Sequence, residues 1–127
     1  MTFVDGFVIA VPSANKQAFI AHAEHFDRML VEQGALRVVE CWGVDVPRGK
    51  QTDFFGAVQA KDDETVCFSW VEWPDRATRD AVHARMEKMM KNGEFAQVMG
   101  DHPDMPFDGA RMVFGGFETV IDMGAKA

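Results

Sequence analysis

Between Phe3 and Val11 the chain is apolar at odd and even positions alike, with Phe3, Phe7 and Ile9 on one parity and Val4, Val8 and Ala10 on the other. Successive side chains of a β-strand point to opposite faces. A strand with this pattern is therefore covered on both sides, which makes it a central strand of a sheet. A chain of 127 residues builds one domain, so both covers have to come from a few helices or from a second copy of the chain.

The remaining elements follow from local signals. Pro12 stops the first strand, Ser13 is placed to cap a helix, and Ala14 to Gln33 carries Phe19, Ala23, Phe26 and Leu30 at helical spacing before Gly34 ends it. A second strand is expected from Ala35 to Gly43. The polar stretch from Asp45 to Glu64 is long for a connection, and Phe54 to Ala60 is apolar enough to predict a short edge strand within it. Thr65 to Trp73 is rich in strand formers and runs into Pro74-Asp75, where Asp75 is expected to cap a second helix reaching about Asn92. The stripe of that helix is read as Thr78, Ala81, Val82, Arg85 and Met89. Glu94 to Met99 could add one further turn. The turn-rich stretch from His102 to Gly109 leads to a last strand from Arg111 to Asp122, weakened by Gly115-Gly116.

Strand, helix, strand, strand, helix, strand is the order of a ferredoxin-like βαββαβ sandwich, an α+β fold with an antiparallel sheet and both helices on one face. Val11-Pro12-Ser13 before the first helix is echoed by Trp73-Pro74-Asp75 before the second. The helix-free face still needs cover. The same face of a second copy supplies it, which predicts a homodimer whose two sheets form a barrel.

Charge and composition narrow the partners. Twenty acidic residues against thirteen basic ones give a net charge of −7, which disfavours nucleic acid and anionic lipid. No apolar run approaches the roughly 20 residues of a membrane span, and the first residues lack the basic start of a secretory signal. A cytoplasmic location is expected. Cys41 and Cys67 are too few for a disulfide framework and too far apart for a CxxC site.

Five blocks together carry a resemblance: Glu40 to Lys50, Glu64 to Trp70, Pro74 to Val82, Met105 to Met112, and Gly115-Gly116-Phe117. They resemble the DUF1428 family over nearly the whole chain. That resemblance implies a small bacterial protein of the dimeric α+β barrel type, in a family without an established activity.

Charged residues inside apolar strands need partners or shifted pKa values, which singles out Asp5, Glu40, Glu72 and Arg111. With the first and last strands as neighbours, Asp5 and Arg111 are expected to pair near one sheet end, whether as a structural ion pair or as part of a site. Glu40 and Cys41 point to opposite faces. Glu40 is a candidate general base, or a hydrogen-bonding group at a dimer interface; Cys41 is expected to be a buried small hydrophobe. His22 and His25 stand three apart on a helix, a spacing compatible with a metal, but with no placed carboxylate no metal is assigned. His83 is expected to be solvated, and His102 lies in the turn-rich loop. Met105 and Phe107 offer an apolar wall beside Asp108 and Arg111, and Arg76 and Arg79 offer positive charge for a carboxylate-bearing ligand. The alternative for these residues is surface charge and a plain turn.

The combined expectation is a homodimer that binds a small, partly apolar molecule between sheet and helices. Glu40 or Asp108 would transfer a proton and Arg111 or Arg79 would orient an anion, with no cofactor. A non-catalytic binding or stress-associated dimer is the alternative, favoured by the lack of P-loop, GxGxxG, HExxH and GxSxG motifs.

Overall fold

The computed structural model describes residues 2–94 and 105–125. At its centre β1 (Phe3–Pro12) pairs antiparallel with β3 (Glu64–Trp73) on one side and with β4 (Val113–Glu118) on the other; β2 (Arg37–Trp42) pairs antiparallel with the far edge of β3. The order β2-β3-β1-β4 is that of the ferredoxin-like sheet. Helices α1 (Lys16–Gln33) and α3 (Arg76–Lys91) pack on the face formed by the odd-numbered residues of β1 and β3. There Leu30 and Val82 meet Phe3, Val71 and Trp73, while Phe19 meets Ile9, Val11 and Cys67.

Local chemistry sets the helix ends. Gly34 adopts φ 132°, a conformation that costs a side-chain-bearing residue strain, and its N–H reaches the carbonyls of Leu30 and Val31 to close α1. Asp75 caps α3 as expected, accepting from the Thr78 N–H at 2.7 Å. Ser13 does not cap α1. It lies in a 3-10 turn, Ser13–Asn15, and its hydroxyl bonds that of Thr65 at 2.8 Å.

Two further expectations are corrected. The stretch expected to hold an edge strand instead forms a short helix, α2 (Phe54–Ala57), because Asp53 accepts from the Gly56 N–H at 2.6 Å and caps a turn there. The following residues fold over part of the helix-free face, where Val58 packs on Ala10 and Val66. The last strand is shorter than expected. Arg111 belongs to a 3-10 turn (Gly109–Arg111) held by Asp108, and the chain leaves the sheet after Glu118. The expected turn at Glu94 to Met99 falls almost wholly outside the described residues, as does His102.

The rest of the helix-free face is open and apolar. Cross-strand pairing puts Val4, Gly6 and Val8 of β1 beside Trp70 and Phe68 of β3 and beside Phe117, Gly115 and Val113 of β4. These residues line a trough of about 600 Å³. Phe68 is 45% exposed and Phe117 62%, a patch that monomers rarely leave uncovered. The Phe117 ring lies over Gly6 and Gly115, whose missing side chains make the floor on which it rests.

Gly116 has a different reason. A Cβ there would stand 2.8 Å from Arg79 Nη2 and 2.8 Å from the Phe3 ring. Gly116→Ala is expected to destabilise the protein by about 1–3 kcal/mol through overpacking, seen as a lower urea midpoint with unchanged slope. Gly124→Ala, with open space around it, is expected to leave the midpoint in place.

Candidate functional site

Glu40 points from β2 toward the helices, and Asp27 reaches it from α1, where it follows Ala23 by four residues and precedes Leu30 by three on the buried stripe. The two carboxyl groups hydrogen-bond each other, and Glu40 is also hydrogen-bonded by Ser69, its direct neighbour on β3. Two carboxylates at such range cannot both ionise cheaply. Burial, then the charge of Glu40 and the hydrogen bond to it, push the Asp27 carboxyl up to about 8, and burial also raises Glu40. The pair thus holds a shared proton at neutral pH. Asp27 is half-buried and Glu40 is exposed on the edge strand, so the pair is open to solutes on that side.

The surroundings are largely apolar. Trp42, two residues along the same face of β2, packs against Phe19, and Phe107 meets Phe19 and His22 edge-on at 6.0 Å from each ring. Phe107 thus packs on α1, the helix that also carries Asp27. The Lys16 ammonium lies 5.6 Å above the Trp42 ring. Cys67 is buried below, its thiol pushed up to about 12 by burial first and by the Glu40 charge second; it is an unreactive hydrophobe.

A shared proton held against the solution has a signature in stability. The folded-state pKa of Asp27 lies above its unfolded value near 3.8, so the stability it contributes is complete below about pH 4 and is lost as pH rises toward 8. Asp27→Asn keeps a donor for Glu40 and removes that loss. The variant is expected to gain about 1–2 kcal/mol at pH 8, after allowance for solvent screening at the open flank, and to show a flatter dependence of urea midpoint on pH between 4 and 8.

A second cluster gathers around Asp5 of β1. Asp5, 1% exposed, accepts from Trp73 Nε1 at 2.9 Å, from Arg79 Nε and Nη2 at 3.0 and 2.8 Å, and has His83 Nε2 at 3.0 Å. Burial alone would raise its pKa, but the hydrogen bonds from His83, Arg79 and Trp73 outweigh it and hold the carboxyl below the usual range. The expected Asp5–Arg111 pair does not form. In the β1–β4 register Asp5 stands opposite Gly116 and Val8 opposite Val113, which leaves Arg111 beyond the other end of the pairing. His83 is correspondingly half-buried against Asp5 and Trp73 rather than solvated.

Arg111 forms a third cluster. Its Nη1 and Nη2 donate to the two oxygens of Glu64 at 2.7 Å each, Nη1 also to the Gln59 carbonyl at 2.9 Å, and Nε to Asp108 at 3.0 Å. The Arg111 hydrogen bonds hold the Glu64 carboxyl at about 2 against its burial, and those from Arg111 and the Ala110 N–H lower Asp108. Asp108 is thus an ionised anchor. Together with Asn15, which donates to the Pro106 carbonyl at 3.0 Å, this fork seats the loop that carries Phe107.

The remaining candidates are scattered. Arg79 is engaged by Asp5 and Asp80, Arg76 is exposed with Asp80 at 3.4 Å, and Met105 is exposed. Glu72 accepts from Trp70 Nε1 and lies 3.8 Å from Arg37. Cys41 is exposed on the open face, not buried, because β2 is an edge strand that neither α1 nor α3 covers on that side. Asp27 and Glu64 are the acids that sequence reasoning passed over. The position of Asp27 within the stripe Phe19, Ala23, Leu30 was the available signal; Glu64 gave none, standing at a strand end among other charges.

An antiparallel sheet in the order β2-β3-β1-β4, two helices on one face and an apolar second face define a ferredoxin-like α+β protein. A crystal structure described as that of a dimeric ferredoxin-like protein from an uncultured marine organism is similar, with a TM-score of 0.54 at 15% identity over 98% of each chain. The chain belongs to the family described as "Protein of unknown function (DUF1428)", whose profile matches residues 2–109. It is 48% identical over 122 residues, 96% of this chain and 99% of the relative, to "Uncharacterized protein YbaA" of Escherichia coli K12. The YbaA protein of Shigella flexneri matches equally. Among the described residues no helix is long and apolar enough to cross a membrane.

Proposed function

We propose that this protein is a homodimeric barrel enzyme that moves a proton on a small, partly apolar molecule without a cofactor, with Glu40 and Asp27 as the acid–base pair. The observation that carries this reading is the contact of two carboxyl groups, Asp27 of α1 and Glu40 of β2, whose shifts favour one held proton. Holding a carboxyl neutral near pH 7 costs stability, and acid–base sites are where such costs are found. With one proton between them, one oxygen of the pair accepts a proton from a bound molecule while the other returns one. Ser69 keeps Glu40 oriented, Trp42 and Phe107 supply apolar contact, and Lys16 supplies a cation for an anionic substituent. Arg111 and Asp108 serve the site by seating Phe107. The dimeric state is supported by the open apolar sheet face and by the dimeric ferredoxin-like neighbour.

The test is deuterium exchange from heavy water into a panel of small alkyl and aryl ketones, followed by mass spectrometry. Exchange by the native protein and its loss in Glu40→Gln, with the fold retained, are expected. Equal exchange in both would remove Glu40 from the chemistry.

A non-catalytic dimer is the second reading, favoured by one observation. The trough on the open face is lined without a single titratable side chain and lies on the opposite side of the sheet from Glu40. No exchange with any ketone, together with a dimer that retains an apolar molecule, would favour it.

A further inference from the structure

We infer that residues 119–125 form an arm that lies against a second copy of this chain. The inference rests on the homodimer reading above and names the segment through which the contact is extended. Its root is fixed: the Thr119 N–H donates to the Thr2 carbonyl at 3.3 Å, and Thr2 Oγ1 donates to Thr119 Oγ1 at 3.0 Å, beside the start of β1. Beyond that point the chain enters neither helix nor strand up to residue 125. Val120, Ile121 and Met123 are 76%, 72% and 87% exposed, so their own domain hardly covers them.

Three large apolar side chains in four positions, held in water, are costly unless something else buries them. The occupant is indicated by continuity. β4, directly before the arm, is an edge strand, and its Val113 and Phe117 already form one border of the open trough. Phe117, on the border of the trough, stands three residues before Val120 and four before Ile121 along the chain. A second copy seated on the trough therefore meets the arm as well, and two-fold symmetry makes each arm contact occur twice. An edge strand with an apolar extension is also a ready template for another chain. Glu118 and Asp122 flank Val120 and Ile121 with negative charge, unlike the basic stretches that meet anionic membranes.

Sedimentation velocity across a dilution series tests this on the full chain and on Ile121→Asp and Val120→Asp. Both side chains are mostly in solvent within the protomer, so the circular dichroism of the variants should match the native protein. Each aspartate is expected to raise the dimer dissociation constant at least tenfold. Hydrogen exchange on the native chain gives a reading free of any substitution: protection over residues 119–125 at concentrations where the dimer forms, lost on dilution. A native dimer whose arm exchanges like a free peptide, or whose dissociation constant the aspartates leave unchanged, overturns the arm and spares the dimer. A native chain that is monomeric at every concentration overturns both.

Discussion

Asp5→Ala is expected to cost about 3–5 kcal/mol, the scale at which removing one partner of a buried charged pair leaves the other uncompensated. Against a total stability of roughly 5–15 kcal/mol for a domain, that is enough to leave much of the protein unfolded on mild warming. Asp5 joins three elements of structure at once. It stands on β1, accepts from Trp73 at the end of β3, and takes the Arg79 and His83 side chains from successive turns of α3. With the carboxylate gone, Arg79 stays trapped between the Phe3 ring, 5.2 Å from its guanidinium, and the close approach of Gly116. Asp80→Ala is the control. It removes an exposed partner of Arg79 and Arg76, and surface pairs of that kind contribute about 0–1 kcal/mol.

The same residue sets an acid limit. The folded-state pKa of Asp5 lies below its unfolded value near 3.8, so its contribution is complete above that value and is lost as pH falls through the folded pKa. Glu64, held at about 2 by Arg111, behaves the same way. Acid unfolding is therefore expected to begin below about pH 4, and the Asp5→Ala variant should lose part of that acid dependence while the Glu64 part remains.

Phe68→Asp is expected to weaken the proposed dimer by at least about 100-fold, or about 3 kcal/mol at 1.4 kcal/mol for each tenfold step. Phe68 stands at the centre of β3 on the open face, opposite Val8, and meets Phe54 edge-on at 6.2 Å and Trp70 at 6.0 Å. An aspartate there is tolerated by the lone protomer, since the position is already 45% exposed. In the dimer it would be a charge buried among aromatic rings with nothing to pair with. Sedimentation velocity should show a folded monomer at concentrations where the native chain is dimeric. A variant that dimerises as tightly as the native chain would move the interface off this face.

The sheet and both long helices were legible because their signals are local or periodic. The two-sided apolar run of β1, the stripe on α1, Gly34 and the Asp75 cap each read correctly from a few neighbouring residues. The edge strand expected at Phe54 to Ala60 failed for a local reason too: apolar content was weighed, while the cap chemistry of Asp53 with Gly56 was not. Side-chain partners were less legible. Adjacency of β1 and β4 was inferred correctly, but pairing Asp5 with Arg111 also needs register, and Val8 opposite Val113 places Arg111 at the wrong end. Register depends on where β4 begins, which the turn at Gly109–Arg111 decides. Glu40 was named from its own strand, whereas the proton it shares depends on a second acid from α1, brought there only by tertiary packing. His83 misled in the same way, because the inward stripe of α3 runs through Arg79, Val82 and His83 to receive one carboxylate of β1.

The most direct measurement is carboxyl carbon NMR of the protein labelled at aspartate and glutamate, titrated from about pH 3 to 10 and assigned with Asp27→Asn and Glu40→Gln. The Asp27–Glu40 pair should titrate in two separated steps, one of them near pH 8, and Glu40→Gln should bring the Asp27 step down, since the charge of Glu40 and the hydrogen bond to it are then gone and burial alone still raises it. Two carboxyl groups that both titrate below about pH 5 would mean that no proton is held between α1 and β2, and the proposed acid–base site would fall with it.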